Sequence, residues 1–210
     1  MKKLNKIGRI FEKHGTDKAN INYHIPYQKH LPKKAGNFLE IGTWLGGGIR
    51  AFREWYNNEG DFYTLNYRFG DGEIPTIKSL INEGFICFEG EQEDTGFLNT
   101  IKDVFDVIID DGSHHSDSQI ITFKHMFEKN LRSGGLYIIE DLHCCMNSYW
   151  WREIKSVEDT FLGVMREIRK GGTWESQLFT KEESKYFIKE VDKIVVAGDR
   201  NESIAFLWKK

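Results

Sequence analysis

Acidic and imidazole side chains follow two apolar stretches of this sequence. Residues 110–115 (DDGSHH) come after the first stretch, and residues 140–143 (EDLH) come after the second. If the stretches are neighbouring parallel strands, their ends lie about 5 Å apart, and the carboxylates repel one another unless a cation lies between them. Carboxylate oxygens with open positions suit Mg²⁺ or Mn²⁺. The sequence therefore predicts a hard-metal site, with solvated loop acids and helix caps as the alternative.

His114 is the candidate catalytic base of this site. It follows Asp111 by three positions, so one residue can bind a metal while the other faces the same cavity. With an ordinary pKa of about 6.5, an imidazole accepts a proton from a metal-bound hydroxyl at neutral pH. The alternative is a histidine that caps or packs before the next helix.

Cys144 and Cys145 lack the C-x-x-C spacing of a structural zinc site and are interpreted as structural.

A glycine-rich loop after another apolar stretch is predicted to approach a small molecule. In residues 40–50 (EIGTWLGGGIR) the glycines allow a sharp turn into a helix and let a ligand reach the helix N-terminus. A P-loop is excluded because no Lys-Ser or Lys-Thr follows the glycines. The dinucleotide-binding pattern G-x-G-x-x-G is excluded by the spacing from Gly42 to Gly46. A tight turn without a ligand is the alternative.

The elements that must position these residues alternate between strands and helices. Five strands are predicted over 37–41, 62–66, 85–88, 105–110 and 136–140, and helices over 46–56, 74–82, 116–130 and 157–170. The third helix opens with Ser116 and Gln119 at the spacing of a capping box. Two further strands, 193–197 and 204–208, are separated only by residues 198–203 and predict an antiparallel hairpin. The fold class is α/β, a doubly wound, Rossmann-like sheet of seven strands with a C-terminal hairpin.

Composition limits the classes of partner. The chain has 210 residues, 40% of them hydrophobic and 29% charged, which predicts a single domain over 1–210, with 1–35 as an N-terminal helical cover and 36–210 as the sheet and its helices. A net charge of −3 without a long block of one sign argues against nucleic acid, and the absence of a long apolar run argues against a membrane span. Three cysteines that cannot all pair favour the cytoplasm.

Several of these segments together carry a family resemblance. They are residues 11–18 (FEKHGTDK), with His24 and Tyr27 following, then 39–42 (LEIG), 107–115 (VIIDDGSHH) and 134–143 (GGLYIIEDLH). In these motifs the chain resembles class I S-adenosylmethionine-dependent methyltransferases. The closest pattern is that of the metal-dependent macrolide and sugar O-methyltransferases, typified by the macrocin and mycinamicin enzymes, with cephalosporin-hydroxylase-like relatives.

The resemblance implies a function and a set of site residues. It implies transfer of a methyl group from S-adenosylmethionine to a hydroxyl of a sugar or glycosylated small molecule, with a homo-oligomer as a possible assembly. Mg²⁺, or Mn²⁺, would be held by Asp111, Glu140 and Asp141, and His114 would be the general base. The implied cofactor-binding residues are Thr16, Asp17, Glu40, Gly42, Gly46, Asn66, Glu91, Gln92 and Asp110. Acceptor recognition is expected from residues 144–151 and from the segment around Trp174.

One position departs from the family pattern. The second strand ends in Asn66, where the resemblance calls for a carboxylate that binds the two ribose hydroxyls, and residues 68–73 (RFGDGE) also differ. A rival hypothesis follows, in which a metal-binding, non-catalytic or repurposed protein of this fold no longer uses S-adenosylmethionine. A nicotinamide oxidoreductase is a third possibility, weakened by the glycine spacing and the acidic cluster.

Overall fold

The computed structural model describes residues 3–67, 74–198 and 203–210, in which strands and helices alternate. The strands are β1 (Asn37–Ile41), β2 (Asp61–Asn66), β3 (Ile86–Glu89), β4 (Phe105–Asp110), β5 (Leu131–Ile139), β6 (Val191–Ala197) and β7 (Ile204–Lys209). The helices are α1 (Lys6–Lys13), α2 (His24–His30), α3 (Gly47–Trp55), α4 (Ile74–Asn82), α5 (Thr95–Leu98), α6 (Ser116–Lys129), α7 (Phe161–Lys170) and α8 (Lys181–Glu190). The divergent loop 68–73 and hairpin residues 199–202 lie outside the described residues.

The strands form one sheet in the order β3-β2-β1-β4-β5-β7-β6. Neighbours among β1 to β5 are parallel, whereas β7 runs antiparallel to both β5 and β6. The predicted seven-stranded sheet with a C-terminal hairpin is confirmed. The strand order changes direction between β1 and β4, and in open α/β sheets ligands bind at this switch point, beyond the carboxyl ends of the strands.

Helices cover both faces of the sheet. Side chains alternate along a strand, so Phe38 and Leu39 of β1 point to opposite faces. Leu39 belongs to a buried cluster with Phe123 of α6 and Phe161 of α7, whereas Phe38 packs against Phe52 of α3 with ring centroids 4.9 Å apart. The doubly wound arrangement predicted from the nearly continuous apolar strands is the one observed.

The N-terminal helices share the core on the α3 face. The ring of Tyr27 in α2 lies 5.2 Å from the ring of Phe52 in α3 and 5.8 Å from that of Phe206 in β7. Burial of these aromatic rings anchors α2 against the sheet. As a result, the chain between α1 and α2 passes over the carboxyl ends of β4 and β5, where the predicted site residues lie.

The predicted capping box at the start of α6 is wrong. His115 is the N-cap residue, and its side chain makes no capping hydrogen bond. The Ser116 hydroxyl instead accepts a hydrogen bond from the backbone N–H of Phe161 at 2.7 Å. Gln119 Nε2 donates to the carbonyl oxygen of Glu140 at 3.3 Å. Ser116 and Gln119 are both buried, so tertiary partners take the place of the local ones.

Two predicted element boundaries are also wrong. β5 begins at Leu131 rather than at residue 136, because Leu131 pairs with Phe105 of β4 across an irregularity in the ladder. The helix predicted from residue 157 divides into a 3₁₀ turn, Val157–Asp159, and α7. Thr160 separates them in an extended conformation, and its hydroxyl accepts from the Gly163 N–H to cap α7.

Within the described ranges, no helix has the length and apolar character that a membrane span requires.

Candidate active site

The two acidic segments meet at the carboxyl edge of the sheet. β4 and β5 are adjacent and parallel, with Asp110 paired to Ile139. The backbone N–H of Glu140 donates to the Asp110 carbonyl oxygen at 2.9 Å, which extends the pairing by one residue. Asp111 and Asp141 follow directly on the two strands. The predicted adjacency of the acids is therefore confirmed, whereas their role as metal ligands stays a prediction.

Asp111, His114 and Asp141 form a cluster that could hold a metal ion. His114 Nε2 lies 3.4 Å from Asp111 Oδ1 and 3.4 Å from Asp141 Oδ2. One potential ligand atom from each of the three residues lies within 4.8 Å of the others. Each side chain is about one-fifth to one-quarter exposed, so the cluster is open to a ligand.

Three side chains from the N-terminal segment contact the carboxylates, and the sequence pattern predicts a site role for none of them. Lys18 Nζ lies 2.5 Å from Asp111 Oδ2 and 2.8 Å from Glu140 Oε2. The Tyr27 hydroxyl donates to Glu140 Oε1. The Tyr23 hydroxyl donates to Asp141 Oδ1 at 2.7 Å. Lys18 and Tyr27 belong to the motif that carries the resemblance, but their partners are more than ninety residues away in sequence.

Lys18, Asp111 and Glu140 shift one another's pKa values. Burial lowers the pKa of Lys18, but Asp111 and Glu140 outweigh burial and raise it above its ordinary value. Burial raises the pKa of Asp111, but the Lys18 ammonium outweighs burial, so the pKa of Asp111 lies below its ordinary value. Burial and Asp111 raise the pKa of Glu140, and Lys18 opposes that rise. Lys18 is therefore charged and Asp111 ionised near neutral pH.

The carboxylates of Asp111 and Asp141 control the charge of His114. Burial lowers the pKa of the imidazole, but the hydrogen bond to Asp111 and the charges of Asp141 and Asp111 raise it to about 11. An imidazolium cannot accept a proton, so the base role requires that another cation neutralise these carboxylates.

Two cavities lie along this edge of the sheet and share Gly42 and Gly112. The first has a volume of about 480 Å³ and is lined by the predicted residues Asn66, Glu91 and Gln92, together with Arg152. The second has a volume of about 690 Å³ and contains the acidic cluster. Of the predicted residues, it is lined by Thr16, Asp17, Glu40, Gly42, Asp111, His114, Glu140 and Asp141. Gly46 and Asp110 line neither cavity.

Asp110 and Gln92 form a buried layer beneath the first cavity. Gln92 Nε2 lies 3.1 Å from Asp110 Oδ1 and 3.1 Å from the Thr122 hydroxyl, and Gln92 Oε1 accepts from the Ser113 N–H at 2.7 Å. Burial raises the pKa of Asp110 to about 7, although the hydrogen bond from Gln92 opposes the rise. These contacts shape the cavity floor, and direct cofactor contacts of both residues stay a prediction.

Glu40 is a buried acid that lines the second cavity. It lies beneath the turn into α3, where Gly46 has φ 76° and a Cβ at Gly48 would overlap the Glu40 carboxylate. Glu40 Oε2 is buried and has no hydrogen-bond partner among the residues that the structure describes. Burial raises the pKa of Glu40 to about 8, although Lys18 opposes the rise. An ammonium group of a ligand would satisfy this carboxylate, which fits the amino group of a methionine moiety.

Gly42 is required where β1 approaches the start of the acidic loop. Its φ is +90°, and a Cβ there would overlap the Asp111 carbonyl oxygen and Gly112. We expect Gly42→Ala to lower Tm by more than about 2–8 °C, because the left-handed conformation alone costs about 1–2 kcal/mol. Gly134→Ala is the matched control, since φ is +75° there with no atom within 4 Å of the added Cβ. Equal Tm losses in thermal unfolding would contradict the close approach.

Several residues around the second cavity have a left-handed backbone conformation or an exposed aromatic side chain. Trp44, His114 and Asp141 have positive φ values of 45°, 58° and 55°. Such conformations persist where the surrounding structure imposes them, often at functional sites. The Trp150 ring lies 5.9 Å from the ring of His114, and Trp44 is 74% exposed. These rings offer apolar faces to an acceptor next to the acidic cluster.

The predicted acceptor-binding segments divide in the structure. Within 144–151, Cys144 and Cys145 are buried and free, in agreement with a structural role. Tyr149 is 75% exposed and packs edge-to-face on Trp150, 5.1 Å away. Trp174 is partly buried against the core and lines neither cavity. The structure therefore places Trp150 of the first segment beside His114, although no residue of 144–151 lines either cavity, and Trp174 packs against the core instead.

Comparisons with known proteins agree with this arrangement. No protein-family model matches the sequence. The chain is 28% identical over 152 residues to the 8-demethyl-8-(2-methoxy-alpha-L-rhamnosyl)-tetracenomycin-C 3'-O-methyltransferase of Streptomyces olivaceus, covering 65% of this chain and 36% of the relative. It is 33% identical over 123 residues to the mycinamicin VI 2''-O-methyltransferase of Micromonospora griseorubida, covering 53% of this chain and 28% of the relative. The chain thus spans about a third of the length of these curated relatives.

Solved structures share the fold at low sequence identity. An S-adenosylhomocysteine-bound methyltransferase of Podospora anserina, PaMTH1, aligns with a TM-score of 0.54 at 15% identity, covering 97% of this chain and 87% of that one. The O-methyltransferase TomG of Streptomyces achromogenes, in complex with S-adenosylmethionine, aligns with a TM-score of 0.52 at 13% identity, covering 99% and 89% of the two chains.

Proposed function

We propose that this chain, whose fold is that of class I methyltransferases, is an S-adenosylmethionine-dependent O-methyltransferase that acts on a sugar hydroxyl of a small molecule. The observation that carries the proposal is the pair of neighbouring cavities that are both lined by Gly42 and Gly112, one also lined by Asn66 and the other by Asp111, His114 and Asp141. Two curated relatives from Streptomyces olivaceus are O-methyltransferases of rhamnosyl tetracenomycins, which supports the same acceptor class.

The two cavities suit a cofactor held across the end of β1. Asn66 and Glu91, which line the first cavity, would hold its adenosine part. Glu40, whose buried Oε2 has no hydrogen-bond partner among the described residues, would receive the amino group of its methionine part. His114 would contact the acceptor hydroxyl in the second cavity. Thr16 and Asp17 close the wall of that cavity.

The chemistry is a direct methyl transfer to oxygen. When bound, S-adenosylmethionine would supply an activated methyl group to the acceptor oxygen and would become a neutral thioether, so the site needs no general acid. The hydroxyl proton passes to His114 Nε2, which lies between Asp111 and Asp141. Trp150, packed beside His114, orients the acceptor ring.

The donor set fits Mg²⁺ or Mn²⁺. Asp111 and Asp141 present carboxylate oxygens within 4.8 Å of each other and of His114 Nε2, and hard divalent cations prefer such oxygens. We propose Asp111 and Asp141 as ligands, with Glu140 as the third, because its oxygens retain lone pairs beyond those used by Lys18 and Tyr27. When bound, the ion would supply positive charge that lowers the pKa of an acceptor hydroxyl and neutralises the partners of His114.

Calorimetric titration tests the proposal directly. The protein is titrated with S-adenosylmethionine, S-adenosylhomocysteine and NAD, each with and without Mg²⁺, and then assayed for methyl transfer to a panel of free and glycosylated sugars. We expect binding of the first two ligands and no binding of NAD. Metal binding with no affinity for either S-adenosyl ligand would favour the rival, a repurposed protein of this fold.

Asn66 provides a prediction about cofactor affinity. A carboxylate accepts hydrogen bonds from both ribose hydroxyls, whereas an amide has a single carbonyl oxygen to accept with. Asn66 ends β2 and lines the first cavity. We expect Asn66→Asp to tighten S-adenosylmethionine binding by roughly fivefold to tenfold, since hydrogen bonds to charged groups contribute more than neutral ones. Weaker calorimetric binding by the variant would mean that Asn66 reads a different ligand.

A further inference from the structure

Lys18 is a buried lysine inside the carboxylate cluster. Its side chain is 2% exposed, and its ammonium touches Asp111 and Glu140 at 2.5 Å and 2.8 Å. A buried charge is costly unless a partner of opposite sign and good geometry compensates it. The ammonium and the carboxylates of Asp111 and Glu140 therefore depend on one another, and Lys18 already satisfies part of the negative charge that a divalent ion would neutralise.

The donors of the N-terminal segment also fix which oxygens remain available. Lys18 occupies Asp111 Oδ2, and Asp111 Oδ1 faces His114. Tyr23 occupies Asp141 Oδ1, and Asp141 Oδ2 faces His114. Each aspartate thus gives one oxygen to the N-terminal segment and directs the other toward the imidazole.

We propose that the Lys18 ammonium is a built-in counter-cation that holds Asp111 and Glu140 together when no divalent ion is bound and weakens the binding of one. Lys18 is a positioning residue, because it contacts the carboxylates rather than the reacting atoms. The proposal rests on the proposed function, since the cluster that Lys18 stabilises is its metal site. Like charges repel strongly at short range in a poorly solvated site, so Lys18 opposes cation binding while it preserves the geometry.

Thermal unfolding in EDTA tests the counter-cation. Lys18→Met keeps the length of the side chain and removes its charge, and we expect it to lower Tm by about 6–20 °C, as for a broken buried ion pair. In the double variant Lys18→Met/Asp111→Asn, the loss should be smaller than the sum of the two single losses. Lys13→Met is the control, because Lys13 pairs with Glu54 on the surface, where its side chain is 63% exposed. Additive losses would overturn the proposal.

Divalent ions provide the second arm of the test. We expect Mg²⁺ or Mn²⁺ to restore at least half of the Tm lost in Lys18→Met, at ionic strength matched with NaCl, while the Tm of the wild type and of Lys13→Met shifts less. Mn²⁺ titration followed by electron paramagnetic resonance should show affinity about tenfold or more higher in Lys18→Met than in the wild type. Unchanged or weaker affinity, or a Tm loss that the ions leave untouched, would make Lys18 an ordinary packing residue.

Two further results keep the test decisive. If Lys18→Met does not fold in EDTA, the double variant decides, since its folding supports the counter-cation and its failure to fold overturns it. The unfolding cycle in EDTA requires neither metal nor cofactor, so it can succeed while S-adenosylmethionine binding, measured separately on the wild type, fails. Failure of this proposal and failure of the proposed function are therefore distinguishable.

Discussion

Asp111→Asn is expected to abolish methyl transfer while the protein stays folded. The substitution removes one negative charge from the cluster but keeps the side-chain volume, and Asp111 Oδ1 lies 3.4 Å from His114 Nε2. Loss of that charge weakens cation binding and leaves the proposed base with a neutral partner in place of a carboxylate. Glu140→Gln should have the same effect on turnover, and excess EDTA should reproduce it in the wild type. Turnover is followed as transfer of a labelled methyl group.

Asp106→Asn is the matched control for this prediction. Asp106 also lies in β4, but near the end of the strand that is away from the site. There it accepts a hydrogen bond from the backbone N–H of Asn37 at 2.8 Å and pairs with Arg132. Its loss should leave the rate of the folded enzyme unchanged. If the wild type methylates its acceptor equally well in excess EDTA, the metal role is wrong, and the carboxylates act only on His114 and Lys18.

His114→Ala is expected to lower kcat by about 10²- to 10⁴-fold, the range typical for loss of a general base. Affinity for S-adenosylmethionine should change little, because His114 lines the second cavity and not the first cavity, where Asn66 lies. Stopped assays over a range of acceptor concentrations give kcat, and calorimetry gives the cofactor affinity. Mn²⁺ binding should survive the substitution.

The backbone at His114 calls for a second variant. Its φ is +58°, a conformation that asparagine tolerates better than alanine. His114→Asn therefore separates loss of the base from backbone strain, and it should reproduce the loss of kcat with a smaller change in Tm. A near-normal rate in both variants would transfer the role to His115 or His143, or leave deprotonation to the metal alone.

Local sequence pattern is enough to predict the sheet and the edge at which the site lies. Apolar runs ended by turn residues define the strands, and a parallel sheet brings the carboxyl ends of adjacent strands together. The adjacency of Asp111 and Asp141 follows from that geometry, and so does the position of Asn66 at the end of β2. These features could be predicted because they depend on local pattern and on general rules of topology.

Which side chains contact one another depends on how the helices and strands pack. Ser116 and Gln119 have the spacing of a local cap, yet both bond to distant groups because α6 is buried along this edge. Lys18 carries no sequence signal of its place between Asp111 and Glu140, 93 and 122 residues away. That contact arises because α1 and α2 pack on the α3 face of the sheet and carry the chain between them over β4 and β5. Periodicity encodes elements, whereas the pairing of individual polar groups depends on how those elements pack.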